Sequence, residues 1–326
     1  MITNMTPKQI IEDIKVKQSE IKSVVFVGCG ASKAELYPAK YFLDGNSKKI
    51  RISHYTANEF NYATPEAVDE TTIVISASLG GTTPETVKAN ERAKKLGAHV
   101  ITLTHSVESP LTKDAEYVIY HRFAESYGAK IEKMGFALEL AMEILQQFEG
   151  YDNYEVMKDG FDKIYDLADK AAISARLYAK KFAEEYKDAP VIYVMSSGAT
   201  LEVAYSTSIC LMMEMQWVNS GTFHSGEFFH GPFEIVDKDV PFILFMNDGR
   251  TRAIDSRALT FLNRFNAKTT VVDALDYGLS AEISKSVIDY FNPMLLTAVF
   301  RVYAEELSEA RQHPLTRRRY MWKLEY

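Results

Sequence analysis

One strand–loop junction occurs twice in this chain. Val24-Val25-Phe26-Val27 runs into Gly28-Cys29-Gly30-Ala31-Ser32, and Val191-Ile192-Tyr193-Val194 runs into Ser196-Ser197-Gly198-Ala199-Thr200. An offset of 168 residues lays Gly30 on Gly198, Ala31 on Ala199 and Ser32 on Thr200. The same offset lays Gly81-Thr82-Thr83 on Gly249-Arg250-Thr251, each just after an apolar run. Agreement at two separate junctions reads as a duplicated domain, so the fold must hold two copies of one unit.

Within the first copy, apolar strands alternate with helical stretches. Val24–Val27, Ile50–Tyr55, Thr71–Ala77, His99–Leu103 and Tyr117–Tyr120 read as strands. Helices are expected over about 32–43, 84–96 and 131–148, with a helix or turn around 57–62. Strands this apolar, separated by helices, predict a parallel sheet covered on both faces. The fold class is therefore α/β, with two tandem domains, each a parallel sheet flanked by helices in a flavodoxin-like or Rossmann-like sandwich. The expected division is residues 1–150 for the first domain, 151–187 for a helical connector and 188–326 for the second domain. The connector is charged and shows no Gly, Ser or Pro enrichment, so it is not a flexible linker.

Composition narrows the function. The 326 residues carry a net charge of −7, and the basic residues cluster only near the C-terminus. A nucleic-acid groove needs clustered Lys and Arg, so that class is disfavoured. No apolar run approaches the roughly 18 residues of a membrane span. The N-terminus has no apolar signal-peptide core. Two cysteines, Cys29 and Cys210, neither build a disulfide framework nor show metal-ligand spacing. A cytoplasmic enzyme or binding protein is the class that remains.

Ligands of an open parallel sheet bind beyond the carboxyl ends of its strands. Two loops of the first half lie there. Gly28-Cys29-Gly30-Ala31-Ser32 turns tightly and opens a helix whose free N–H groups favour an anion. Ser78-Leu79-Gly80-Gly81-Thr82-Thr83-Pro84-Glu85-Thr86 does the same and adds hydroxyls. Lys33 stands where a third glycine of a dinucleotide motif belongs, and no triphosphate-binding P-loop occurs. Taken singly, such loops read as helix caps and turns. Two at corresponding strand ends point to binding of a small phosphate monoester through Ser32, Ser78, Thr83 and Thr86.

The second half supplies titratable candidates. Ala204–Trp217 reads as a helix apolar nearly all round, with Glu214 inside it. That carboxylate is either partnered or raised in pKa, as a general base requires, or it is an exposed residue or a structural ion pair. His230, in Ser225-Gly226-Glu227-Phe228-Phe229-His230-Gly231-Pro232, is either a proton-transfer group at a cleft edge or a hydrogen-bonded core histidine. His224 and Glu227 share that ambiguity. The tail from Arg311 to Tyr326 mixes cations with aromatics and is expected to dock, since disordered tails avoid Trp and Tyr. Lys323 then reaches a site or packs at a subunit interface, and Arg317–Arg319 are solvated or ion-paired.

These motifs resemble the sugar isomerase (SIS) family. The duplicated half, the Gly28–Ser32 loop, the Ser78–Thr86 loop and Ser225–Asp237 are similar to the isomerase part of glucosamine-6-phosphate synthase. Cys210–Trp217, His224–Ile235 and Ala310–Tyr326 resemble the fructosamine-6-phosphate deglycases. The resemblance covers essentially the whole chain. It implies a phosphosugar–amino acid substrate whose phosphate is held at Ser32, Ser78 and Thr83, with Gly30 and Gly80 in the same loops. Gly80 replaces a phosphate-binding serine of the synthase, so that side-chain contact is lost. Glu214 matches the base that moves a proton between carbons 1 and 2. His230 matches a ring-opening histidine contributed across a dimer interface, and Lys323 matches a lysine near the sugar. A homodimer with its active site at the interface is implied, with no cofactor and no metal. No glutamine-hydrolysing segment precedes the first strand near Val24, so ammonia from glutamine is not expected. The alternatives are a phosphosugar isomerase, an ammonia-dependent aminotransferase-type enzyme, or a non-catalytic sugar-phosphate sensor.

Overall fold

The computed structural model describes residues 5–325, which divide into two compact units, with the boundary between Asp162 and Lys163. The first opens with helix α1 (Pro7–Lys17), capped by Thr6, whose hydroxyl accepts from the Gln9 amide while the Gln9 side chain accepts from Thr6 N–H. Then follow β1 (Ser23–Gly28), α2 (Gly30–Asn46), β2 (Arg51–Thr56), α3 (Ala57–Tyr62), β3 (Thr72–Ala77), α4 (Pro84–Lys95), β4 (His99–Thr104) and β5 (Tyr117–Tyr120). A short α5 (Tyr127–Lys130) leads into α6 (Glu132–Phe148). Helix α7 (Tyr154–Tyr186) is continuous, and the boundary between the units falls inside it.

The five strands are all parallel, in the order β2-β1-β3-β4-β5. Every residue of β1 and β3 is buried, which is why both read as unbroken apolar runs rather than alternating ones. Val25, Val27, Val74 and Val100 pack with Ala57, Phe60, Ala89 and Ala93 on the α3–α4 face. The opposite face meets α2, which packs on α6, which in turn packs on α1.

The second unit repeats the plan. It contains β6 (Val191–Ser196), α8 (Leu201–Ser206), a π-helical segment over Thr207–Met215, β7 (Asn219–His224), β8 (Pro241–Met246), α9 (Arg252–Arg264), β9 (Lys268–Asp273), α10 (Leu279–Glu282) and α11 (Asn292–Ala310). Its parallel sheet runs β7-β6-β8-β9, the order of the first four strands of the other unit. Met195, Phe242, Leu244 and Phe228 form one core face with Ala258 and Leu262 of α9. Phe245 meets Phe300 of α11 edge-on at 5.1 Å on the other.

The segment 204–217 differs from the expected helix buried all round. Its backbone winds from α8 into the wider π-helix, and Met213 is 40% exposed. The extra residue per turn rotates one side of an apolar segment outward. Such windings are rare and concentrate at functional sites.

Two glycines match across the repeat for one conformational reason. Gly30 and Gly198, each the second residue after its strand ends, have φ of 52° and 59°. Gly81 is also left-handed, at φ 64°, and a Cβ there would overlap the Ser109 side chain. Gly81→Ala is therefore expected to lower the unfolding free energy by at least about 1 kcal/mol from backbone strain alone. Urea denaturation with an unchanged m-value would measure it.

Candidate functional site

Parallel pairing of β1 with β3, in the register Gly28 opposite Ala77, delivers both hydroxyl loops to one edge of the first sheet. The second loop is pinned from below. Ser78 N–H donates to the Leu103 carbonyl at 3.2 Å, and the Leu79 carbonyl accepts from His105 N–H and from the Thr104 hydroxyl. Ser78, 4% exposed, shares a 2.9 Å hydrogen bond with the Thr83 hydroxyl. Thr86 is fully buried and its hydroxyl donates to Cys29 Sγ, 3.9 Å away, tying the two loops together. Gly80 is exposed and a Cβ there would meet only ordinary contacts, so its backbone is open to solvent or ligand.

Ser32, in the first turn of α2, has a partner that the sequence did not disclose. The Lys133 ammonium, carried by α6, donates to Ser32 Oγ at 2.9 Å and lies 2.6 Å from a Glu35 carboxylate oxygen. Lys133 is 4% exposed. Near it His121, also buried, has its pKa pushed down to about 4, first by burial and then by the Lys133 charge. Its imidazole is neutral at physiological pH.

The corresponding edge of the second sheet has the opposite character. Asp255 is fully buried there and accepts from Asn247 Nδ2 at 2.7 Å, within a cluster that includes Ser197, Ser225 and Thr251. Burial pushes its pKa up to about 6 against the opposing hydrogen bonds from Ser225, Ser197 and Asn247. Arg252 grips Asp273 with two bonds of 2.7 and 2.6 Å, and Arg250 pairs with Asp289. A buried carboxylate and arginines already paired to carboxylates do not favour an anion, so the duplicated loops are not equivalent electrostatically.

Glu214 lies on the π-helical segment. Its side chain is 22% exposed, so it is neither the fully buried nor the freely solvated carboxylate that the sequence allowed. It is ion-paired: Arg318 Nη2 stands 2.6 Å from Glu214 Oε1, with the arginine side chain 7% exposed. Arg318 is oriented in turn by the Leu315 and Arg317 carbonyls at 2.7 and 2.9 Å, and its guanidinium lies 5.1 Å from the Trp322 ring centre. Lys323, itself exposed, donates to the Arg318 carbonyl at 2.7 Å. It therefore braces the segment that holds Glu214, and makes no direct bond to that carboxylate among the described residues.

The tail docks because aromatic and cationic groups interleave. Trp217 has Arg319 over its ring at 4.4 Å, Arg317 at 5.3 Å and His313 edge-on at 4.5 Å. The buried Gln216 amide donates to the His313 carbonyl at 2.8 Å. Between tail and π-helix lies a groove of about 520 Å³, lined by Ile209, Met213, Glu214, Trp217 and Arg318 to Met321.

His230 ends a short 3₁₀ turn over Phe228–His230. Phe228 is buried against Phe229 and Phe261, at ring distances of 5.1 and 5.8 Å, which anchors the turn. The His230 imidazole itself is exposed and bonds to nothing within the described chain, so it is not a hydrogen-bonded core histidine. No hydrogen bond joins it to Glu214 among the described residues. His224 is occupied locally, its Nδ1 accepting from Gly226 N–H at 2.9 Å. No group of three or more His, Cys, Asp or Glu arranged to hold a metal occurs among the described residues, and no helix of theirs is long and apolar enough to cross a membrane.

Duplicated parallel α/β units, with hydroxyl-bearing turns at one sheet edge, define a tandem α/β protein, and comparison with known proteins assigns its family. The SIS domain family profile matches residues 19–144. The chain is 42% identical to the fructosamine deglycase FrlB of Bacillus subtilis (strain 168) over 99% of its own length and 98% of the relative's. It is 26% identical to the fructoselysine 6-phosphate deglycase of Escherichia coli (strain K12), covering 95% and 88% of the two chains. A candidate phosphosugar isomerase crystallised from Salmonella typhimurium LT2 superposes with a TM-score of 0.94 at 41% identity, covering 98% of each chain. The chain belongs to the SIS family.

Two outcomes follow from these environments. A folded-state pKa raised from 3.8 to about 6 means that the Asp255 contribution to stability is full below about pH 4 and is lost as pH rises through 6. Asp255→Asn should therefore gain stability relative to the parent across that window, by on the order of 2–3 kcal/mol, and keep the gain above it. Thermal melts at pH 4, 5, 6 and 7.5 would show the divergence. Arg318→Ala should free the tail, and trypsin should then cut at Arg317, Arg319 or Lys323 at least about tenfold faster, read by mass spectrometry, since loss of a partly buried ion-pair partner costs more than the roughly 1.4 kcal/mol that tenfold needs.

Proposed function

We propose that this protein is a cytoplasmic, homodimeric deglycase that cleaves a 6-phosphorylated fructosamine to glucose 6-phosphate and a free amine. The observation that carries the reading is whole-length similarity, at 42% identity, to a relative named as a fructosamine deglycase. The hydroxyl loops at Ser32, Ser78 and Thr83, with backbone from Gly30 and Gly80, take the phosphate. A monoester dianion accepts hydrogen bonds without donating any, which suits hydroxyls and the free N–H groups at the start of α2.

The reacting carbons lie at the other end of the sugar. An Amadori compound bears its nitrogen on carbon 1 and its carbonyl at carbon 2. Once the ring is open, the carbon 1 protons are acidic beside that carbonyl. Glu214 removes one, the electron pair forms the carbon 1–carbon 2 double bond, and the carbonyl oxygen takes a proton, giving an enaminol. Return of a proton to carbon 2, with loss of the nitrogen proton, gives an aldimine at carbon 1. Water adds there and expels the amine. His230 opens the ring and supplies the acid. Its exposure and the lack of a side-chain bond to any of the described residues suit a group whose partners come from a second copy. The Arg318 ion pair fixes the rotamer of Glu214. Lys323 contributes by bracing Arg318.

The test is a coupled assay for glucose 6-phosphate across phosphorylated fructose-lysine, fructose-aspartate and fructose-glutamate. Release from at least one is expected, and Glu214→Gln should cut kcat by about 100- to 10,000-fold while the variant stays folded at the assay temperature, its melting temperature lowered by loss of the ion pair to Arg318. Near-normal turnover by that variant would remove Glu214 as the base. Glucosamine 6-phosphate made from fructose 6-phosphate and ammonium, with no deglycation, would replace the proposal with an aminotransferase-type reaction.

A further inference from the structure

We propose that Lys133 is the fixed positive charge of the phosphate site, a positioning residue that acts through Ser32; this rests on reading the first unit as a phosphosugar site. Lys133 stands in the first turn of α6, 101 residues along the chain from Ser32, and is 4% exposed. Its neighbours Met134, Ala137 and Leu138 are buried apolar side chains, and an apolar residue at 133 would serve packing alone. Burying an ammonium is costly unless the geometry offsets it. Here the offsets are one carboxylate, Glu35 at 2.6 Å, and one hydroxyl, Ser32 at 2.9 Å.

Hydrogen accounting then sets what the site accepts. An ammonium only donates, so Ser32 Oγ is the acceptor in that bond and its own hydrogen is directed elsewhere. Ser78 and Thr83 share one hydrogen bond at 2.9 Å, which uses one of their two hydroxyl hydrogens. The loop edge thus offers hydroxyl hydrogens beside a buried cation, an arrangement for a ligand that accepts only. A phosphate dianion meets that description; an ammonium or an amide does not. His121, the other titratable group facing Lys133, is neutral and adds no competing charge. The matching edge of the second unit buries Asp255 instead, so the sign of the buried charge separates the two copies.

The Lys133–Glu35 pair also predicts an opposite-sign effect. Glu35 offsets part of the positive field that this ammonium exerts at the phosphate through Ser32. Lys133→Met is expected to weaken binding of glucose 6-phosphate and of inorganic phosphate about 10- to 100-fold by calorimetry, the range for loss of a charged hydrogen-bond partner. In turnover it should raise KM and leave kcat within about threefold, a split that general structural damage would not produce. Glu35→Gln should tighten both ligands by a few-fold. The double variant Lys133→Met, Glu35→Gln removes the buried pair without stranding a charge, and its melting temperature controls for folding. If these variants fold and bind both ligands as the parent does, or if Glu35→Gln binds more weakly, Lys133 has no such role. If the parent protein itself binds neither glucose 6-phosphate nor phosphate, the reading of the phosphosugar site fails first.

Discussion

Parallel pairing of β1 with β3 is the constraint on which the first unit's site depends. Because both strands run the same way and sit side by side, their carboxyl ends open onto one edge, and the two hydroxyl loops are neighbours that the Thr86–Cys29 contact then ties together. Burial of the two strands on both faces makes the register costly to change. A one-residue slip would move Val25, Val27 and Val74 off the α3–α4 face and break the cluster they form there. The left-handed Gly30 and Gly81 then let each chain turn away from the sheet in the space available. The loops inherit their positions from the rigid sheet beneath them.

Duplication supplied two such edges, and the structure shows them diverging in charge. The first places Lys133 under Ser32; the second places Asp255 under Ser197, Ser225 and Asn247. Backbone geometry is kept, as the paired glycines at 30 and 198 show, while buried charge selects which edge suits an anion. The second unit also has an unusual π-helical segment and a C-terminal tail folded across it. The Arg318–Glu214 pair joins those two elements, so the carboxylate proposed as the base is oriented by residues about a hundred positions later in the chain.

Much of the architecture was legible beforehand. Fully or largely buried strands advertise themselves as apolar runs, so β1, β3, β6 and β8 were visible, whereas β7 and β9, half-exposed and carrying Asn, Ser, Gly, Thr and Lys, were not. The hydroxyl loops were visible because two of them follow apolar strands at corresponding strand ends, whereas either alone reads as a helix cap or turn. Lys133 was invisible: within α6 it reads as one more charged residue near a helix start, and nothing local says that its side chain runs inward. Arg318 was seen only as part of a basic cluster, its partner undetermined. The helical reading of 204–217 had the right content but the wrong winding, since α- and π-helical turns share the same apolar composition.

Sequence by itself determined the duplication, the α/β class, the strand ends that bear the loops and the docking of an aromatic tail. These follow from local propensity, periodicity and the high cost of leaving apolar surface in water. Tertiary structure alone decided which charges are buried and with what they pair: Lys133 with Ser32 and Glu35, Arg318 with Glu214, Asp255 with Asn247. The reason is electrostatic. A charged side chain carries no periodic signature, and whether it is solvated or buried depends on partners set by the tertiary fold, which for Lys133 and Arg318 come from about a hundred residues away.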